Sequence, residues 1–421
     1  MYGLPTVDLY RILHSFVLNR GSPEYKAPLN GVFHSRQLAD PSDRSIVAMN
    51  VDTPYSYAWL DLRAEPVLPT MPAFDPGRYV SAQIVDLYTY TYIVGYVSPR
   101  TTGCHGGEFL IAGPSWTGEP PAGMPSFSCP TELCLMLIRT QLFDEQDMPS
   151  VAAIQDAVAV RPLSAIERQA VPAPVPRLDP IAPVDVRAPA DLAFFGVLNW
   201  MLALMPALPE DVELRRRMAS VGIGTGSSLE LLATAAQDAL EGMRAGLDEI
   251  LERARRVRSS AEIFGSCEFF AGNHLAHATG AFLGILGNAG EEYLGVGYQA
   301  DARGRPFDGA RRYTITFAPG ELPPVGAFWS ITVYDADKHL YANEIGRYVI
   351  SSRHVSSMRE DADGGLTINL QHTVPAADRS ANWLPCPPGP LGLTFRTYLP
   401  EEAIRDGSWT APPVEPHDED A

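Results

Sequence analysis

Carboxylates placed beside phenols and amides are the first residues in this chain that could do chemistry. "NVDTPYSYAWLD" sets Asn50, Asp52 and Tyr55 just ahead of a strand-like run. There Asp52 can serve as a general base or cation ligand, and Asn50 and Tyr55 can hydrogen-bond a polar substrate. The same run also reads as an Asx turn in which Asp52 caps local amides. In "VDLYTYTYIVGY", an extended backbone puts Asp86, Tyr88, Tyr90 and Tyr92 on one face. That phenol row suits a polyol or sugar ring, and it suits cross-strand packing as well. His105, in the Gly-rich "SPRTTGCHGGEF", is a candidate base or ligand because imidazole titrates near neutrality. "FWSITVYDADKHLYANEIGRY" leads from strand-forming residues into Asp335, Asp337, His339, Asn343 and Arg347. Arg396 and Tyr398 alternate onto one face of "TFRTY". A guanidinium facing a sheet interior requires a carboxylate or an anionic ligand, and Asp335 is the structural partner expected for it.

The candidate catalytic set is therefore Asp52, Asp86, His105 and Asp335. The candidate substrate-binding set is Asn50, Tyr55, Tyr88, Tyr90, Tyr92, Arg396 and Tyr398. His274 and His277 are three apart and would share a helix face, as a bundle metal site requires, but Glu268 is the only acid nearby and the ligand set is incomplete. The chain has no G-x-S-x-G elbow, H-E-x-x-H helix or dinucleotide fingerprint. This argues against the common hydrolases, zinc peptidases and Rossmann oxidoreductases, while leaving room for an enzyme assembled from β-loops.

Elements able to position these residues follow from composition and pattern. A chain of 421 residues exceeds one ordinary core and implies two domains. It is 46% hydrophobic and 19% charged, and its 38 Pro and 35 Gly favour many turns. A net charge of −18 disfavours nucleic acid and anionic membranes as partners and makes a polyanionic substrate awkward. A divalent cation such as calcium would remove that last objection. The five cysteines lack zinc spacing and read as thiols in a reducing compartment. The first twenty residues lack the features of a secretory signal, and no run approaches the roughly 20 apolar residues that span a bilayer. The expectation is a soluble, cytoplasmic protein.

Along the chain, residues 6–19 have helical spacing, and short strand-like segments separated by Pro, Gly and Asp turns follow from 45 to 116. Residues 133–142 read as a strand, with an Arg139–Asp144 ion pair expected at its exit, and 147–158 as a helix. Seven prolines within 161–190 make a stiff linker poor in donors. Residues 190–205 and 227–260 are helical in pattern, Ser227 or Ser228 serving as N-cap, and "GIGTG" is the turn that enters the second helix. The strand pattern returns from 311 to 399. The organisation expected is a β domain over 1–160, a linker over 161–190, a helical segment over 191–290, a second β domain over 291–412 and an acidic tail over 413–421.

"YGLPTVDLYR", "NVDTPYSYAWLDLR", "GGEFLIAGPSWTG" and "PTELCLMLIRT" resemble the domain of unknown function 1254. "PPVGAFWSITVYD", "GLTINLQ" and "ANWLPCPPGPLGLTFRTYLP" resemble its usual C-terminal companion, the domain of unknown function 1214. The resemblance implies a mainly β fold: two antiparallel jelly-roll-like β-sandwich domains joined by a helical segment, assembled as a homo-oligomer. One similar protein is linked to metal-dependent breakdown of inositol polyphosphates. Where that family usually has Asn before an Arg-Tyr pair, this chain has Gly346. The function expected is an enzyme acting on a small polar molecule, such as cation-dependent hydrolysis of a polyol or sugar phosphate. The alternatives are a non-catalytic carbohydrate or polyol binder and a tailoring enzyme of specialised metabolism.

Overall fold

The structure is a computed structural model that describes residues 1–44, 48–91, 97–167, 172–298 and 300–417. Its N-terminal strands are β1 (Val32–His34), β2 (Tyr55–Asp61), β3 (Val67–Met71), β4 (Val80–Asp86), β5 (Gly107–Glu108), β6 (Leu110–Ala112), β7 (Ser126–Ser128), β8 (Leu133–Thr140) and β9 (Ala159–Pro162). They form one sheet in the order β1-β2-β8-β4 and another in the order β5-β3-β6-β7, with β9 paired to β3. The C-terminal strands are β10 (Tyr293–Tyr298), β11 (Tyr313–Phe317), β12 (Val325–Asp335), β13 (Val349–Ser351), β14 (Leu366–Gln371), β15 (Trp383–Pro385), β16 (Leu391–Pro400) and β17 (Glu415–Pro416). Their sheets run β10-β16-β12-β13 and β15-β14-β11-β17.

β8 is buried at all eight positions because both of its faces are covered. Cys134, Met136 and Ile138 enter the core between the two N-terminal sheets, while Leu133, Leu135 and Leu137 meet a helical layer. That double burial explains its continuous apolar run. The helical layer joins Leu4–Leu13, Ala193–Leu202 and His274–Leu283 over the outer face of β2 and β8. In the C-terminal half, β12 sends Trp329, Ile331 and Val333 into the core between its sheets. The period of two then turns Phe328, Ser330, Thr332 and Tyr334 toward the N-terminal half.

Several expectations change. Among the described residues strand accounts for 23% and helix for 26%, so the fold is not clearly mainly β; the sheets are several, largely antiparallel and none of them closed. The β6–β7 and β14–β15 pairs run parallel. The helix expected over 227–260 is broken into Glu230–Ala233 and Ala236–Ala254, and neither serine caps it, since the N-cap is Leu229 without a side-chain bond. The proline-rich linker is a strap whose carbonyls accept from the layers beneath: Tyr10 OH donates to Ile181 O at 2.8 Å and Trp200 Nε1 to Asp179 O at 2.8 Å. Ile181 N–H returns a bond to Tyr10 OH at 2.9 Å, and Pro176 O accepts from Arg63 Nη1 at 2.9 Å. All five cysteines are free thiols. Among the described residues, no helix is long and apolar enough to cross a membrane.

One glycine sets the depth of the helical layer. A Cβ on Gly280, within the helix His274–Leu283, would lie 2.1 Å from the Ile263 carbonyl oxygen. Alanine would gain about 1 kcal/mol of helix propensity, but it must push the helix off that carbonyl, which costs typically 1–3 kcal/mol. Gly280→Ala should therefore destabilise the protein in urea titrations, against the direction propensity alone would give.

Candidate functional site

Five of the candidate residues, Asn50, Asp52, Tyr55, Arg396 and Tyr398, gather in a seam between the two β-rich halves. The outer face of β12, β16 and β10 supplies one wall. Ser330 stands opposite Arg396 across the β12–β16 ladder, and Tyr398 lies between Phe328 and Tyr293. The segment entering β2 supplies the other wall. Ser330 Oγ donates to Asp52 Oδ2 at 2.6 Å, and both residues are at most 1% exposed. Asp52 Oδ1 is buried without a hydrogen-bond partner among the described residues.

The Asx turn exists, but Asn50 makes it. Asn50 Oδ1 accepts from the backbone N–H of Asp52 at 2.5 Å and of Thr53 at 3.2 Å, and its amide donates to the Tyr398 hydroxyl. This releases the Asp52 carboxyl from local capping and turns it to the partner half.

Arg396 is 4% exposed. It donates from Nη1 to Thr332 Oγ1 at 2.8 Å and from Nη2 to Ala48 O at 2.9 Å and Tyr334 OH at 2.6 Å. Those acceptors are all neutral. Asp52 acts on Arg396 through space, yet no hydrogen bond or ion contact joins them. Ala48 holds a positive φ of 53° that presents its carbonyl to this guanidinium. Burial pushes the Asp52 carboxyl up, while the Ser330 bond and the fields of Arg396 and Arg353 pull it part of the way back. Burial likewise raises Tyr293, which stands in the fields of Arg396, Tyr55, Asp52 and Arg139. Gly295, opposite Arg396, keeps room for that phenol: a Cβ there would fall 2.5 Å from Tyr293 OH.

Arg139 borders the seam beside Tyr55, with its guanidinium 5.4 Å from that ring. The expected pair with Asp144 does not form. Arg139 donates to Gln83 Oε1 at 2.6 Å, Asn288 Oδ1 at 3.0 Å and Leu286 O at 3.1 Å, and Asp144 caps the turn after it.

The other candidates lie elsewhere. Asp335 does not pair with Arg396: its Oδ1 caps the N–H groups of Asp337 and His339, and its Oδ2 meets Arg44 at 3.3 Å. Tight turns after a strand need such a carboxylate, which explains the polar exit of β12. Asp86 is fully buried and accepts from Tyr90 N at 2.9 Å. It stands opposite Cys134, while Tyr55 stands opposite Arg139. Five residues of strand between them make about 17 Å. The phenol row is not on a strand, because β4 ends at Asp86 and the chain turns, with Thr89 at a φ of 71°. Tyr88 and Tyr90 stack on each other in the core shared with the helical layer. Tyr92 lies outside the described residues. His105 is exposed on its loop. Among the described residues no group of three or more His, Cys, Asp or Glu could hold a metal ion. Asp52, Asp86 and Asp335 do not converge, so they do not form the ligand set a calcium ion would need.

Sequence reasoning passed over Ser330, Thr332, Tyr334 and Tyr293. For the first three the signal is alternation along β12, where Ser330, Thr332 and Tyr334 interleave with Trp329, Ile331 and Val333; Tyr293 opens β10 and carries no such signal.

The two histidines serve the helical layer. His277 Nε2 lies 2.8 Å from Thr89 Oγ1, and its ring stacks on Tyr90 at 4.6 Å. Burial, with a smaller effect of His274, lowers its pKa to about 3. A base depressed below its unfolded value of about 6.5 contributes its full stability above that pH and loses it as pH falls toward the folded value. Between pH 7 and pH 5 this should cost about 2 kcal/mol at the limiting slope of about 1.4 kcal/mol per unit. His277→Gln should flatten that part of the acid limb in urea unfolding measured at the two pH values.

No curated protein matches the chain. The VPA0106 protein from Vibrio parahaemolyticus, known from a crystal structure, is 24% identical with a TM-score of 0.78 over 99% of this chain and 97% of its own, and it shares the fold. An uncharacterised protein from Burkholderia cenocepacia aligns at 14% identity with a TM-score of 0.45, covering 98% of this chain and 86% of that one. The model for the protein of unknown function DUF1254 matches residues 29–162, and that for the protein of unknown function DUF1214 matches residues 292–402. The chain thus belongs to the two-domain family that joins DUF1254 at its N-terminal side to DUF1214 at its C-terminal side.

Proposed function

We propose that the seam binds a small polar molecule carrying an anionic group and hydroxyls, and that the chain hydrolyses it. A polyol or sugar phosphate is the substrate class that fits best. The observation that carries this reading is the Asp52 carboxyl. It is buried, bonded to the Ser330 hydroxyl through one oxygen and, among the described residues, left without a partner at the other. A hydroxyl within hydrogen-bond reach of a carboxyl whose pKa is pushed up by burial is the arrangement of a nucleophile and its base. Arg396, bonded among the described residues to neutral acceptors, would receive the anionic group, and the phenols of Tyr55, Tyr293 and Tyr398 would receive hydroxyls. The paired sheets are read as jelly-roll-like, a scaffold on which sugar sites recur. A cytoplasmic homo-oligomer belongs to the same reading.

The second reading, a non-catalytic polyol binder, is favoured by the closure of the seam: Ser330 and Asp52 have almost no contact with solvent, so a ligand must part the two halves to reach them.

Purified protein incubated with sugar phosphates and inositol phosphates, with and without calcium, should release inorganic phosphate. Ser330→Ala should lower kcat about a hundredfold and also lower the melting temperature, since it leaves the Asp52 carboxyl without its bond, while Arg396→Lys should act mainly on KM and so separates the chemistry from the fold. Binding without turnover would favour the second reading. Neither binding nor turnover across the panel would remove the seam as a site.

A further inference from the structure

The outer face of the C-terminal half carries a polar depression of about 300 Å3, remote in the fold from the seam. Leu366, Ile368 and Leu370 of β14 enter the core, so Thr367 and Asn369 turn outward onto its floor. Asn369 is only 6% exposed, and its side-chain amide has no hydrogen-bond partner among the described residues. Asn382, in the same wall, differs. It accepts from Arg359 N at 2.8 Å and donates to Arg359 O and Thr367 O, each at 2.8 Å. Asparagine is disfavoured in strand centres, and the Asn369 amide meets solvent at the floor of the depression. One saturated amide beside one open amide marks Asn369 as a group waiting for a ligand.

The rim indicates which ligand. Arg359 is paired with Asp378, and Asp361 Oδ2 accepts from Thr367 Oγ1 at 2.7 Å. Arg379 has no ion pair among the described residues and is free to meet one negative charge. Glu360 and Asp361 on the same rim would repel a dianion such as phosphate. The segment that carries Arg379 and Asn382 is held from behind: Arg347 Nη1 donates to Ser380 O at 2.9 Å and Trp383 O at 2.8 Å, and Trp383 Nε1 donates to Gln371 O at 2.9 Å. A preformed site gives up less conformational freedom when it binds.

We propose that this depression is a second binding site, for a small polyhydroxylated monocarboxylate of the uronic or aldonic acid class. Arg379 takes the carboxylate, and the Asn369 amide and Asp361 take hydroxyls. The site does not depend on the activity of the seam.

Isothermal titration of the full chain with sodium glucuronate tests this, with glucose and inorganic phosphate as comparison ligands. Glucuronate should bind saturably, and each comparison ligand should bind roughly tenfold or more weakly. Asn369→Ala and Arg379→Gln, both on the solvent side of the sheet or loop, should each weaken glucuronate roughly tenfold with unchanged melting temperature. The proposal is overturned if glucuronate gives no saturable heat, if both variants bind as the parent does, or if phosphate binds as tightly as glucuronate. It is also overturned if Arg396→Lys, but neither pocket variant, abolishes binding, since that result would move the ligand to the seam.

Discussion

The hydrogen bond from Ser330 Oγ to Asp52 Oδ2 joins two residues 278 positions apart inside a space that water does not reach. A carboxyl buried there is unfavourable unless something answers it, and removing its hydrogen-bond partner costs about 1–3 kcal/mol. The two β-rich halves are therefore held in one relation, with β12 and β16 against the segment that leads into β2. A second buried carboxylate, Glu292, does the same from the other side: Tyr79 OH reaches it at 3.0 Å, Ser98 Oγ at 3.1 Å and Arg100 at 3.2 Å. Between these ties, Tyr79, Phe328 and Tyr398 form a small aromatic cluster that excludes water from both.

The outer face of the first N-terminal sheet is divided along its strands. Toward the amino end of β2 it presents Tyr55 and, across the ladder, Arg139 and Ser81, which border the seam. Toward the other end it presents Trp59, Leu135 and Leu133, which must be covered, and the helices cover them. The same sheet thus serves as a polar wall and as a hydrophobic floor. The helical layer is tied to the turn after β4 by the Thr89–His277 contact, made at a residue whose left-handed backbone is unfavourable for a β-branched side chain.

Much of the fold was legible where burial imposes a period. "LCLMLIRT" reads as a strand covered on two faces, and "FWSITVYD" alternates core and seam residues with a period of two. "VDLYTY" alternates equally well yet turns beyond Asp86, because stacking on His277 and a capped backbone outweigh strand propensity there. The candidate site was half legible. Asn50, Asp52, Tyr55, Arg396 and Tyr398 stand out as polar groups at strand ends and on interior faces. Their mutual arrangement does not, since Arg396 could be matched on pattern with Asp335 as readily as with Asp52.

From the sequence alone come the two β-rich halves, the helical segment and strap between them, and the family, because each rests on local periodicity, proline content or a contiguous motif. Only the tertiary structure decides that Asp335 caps its own turn while Asp52 crosses to Ser330. Electrostatic partnership depends on distance in space and on exclusion of water, and neither quantity is written in the spacing of residues along the chain.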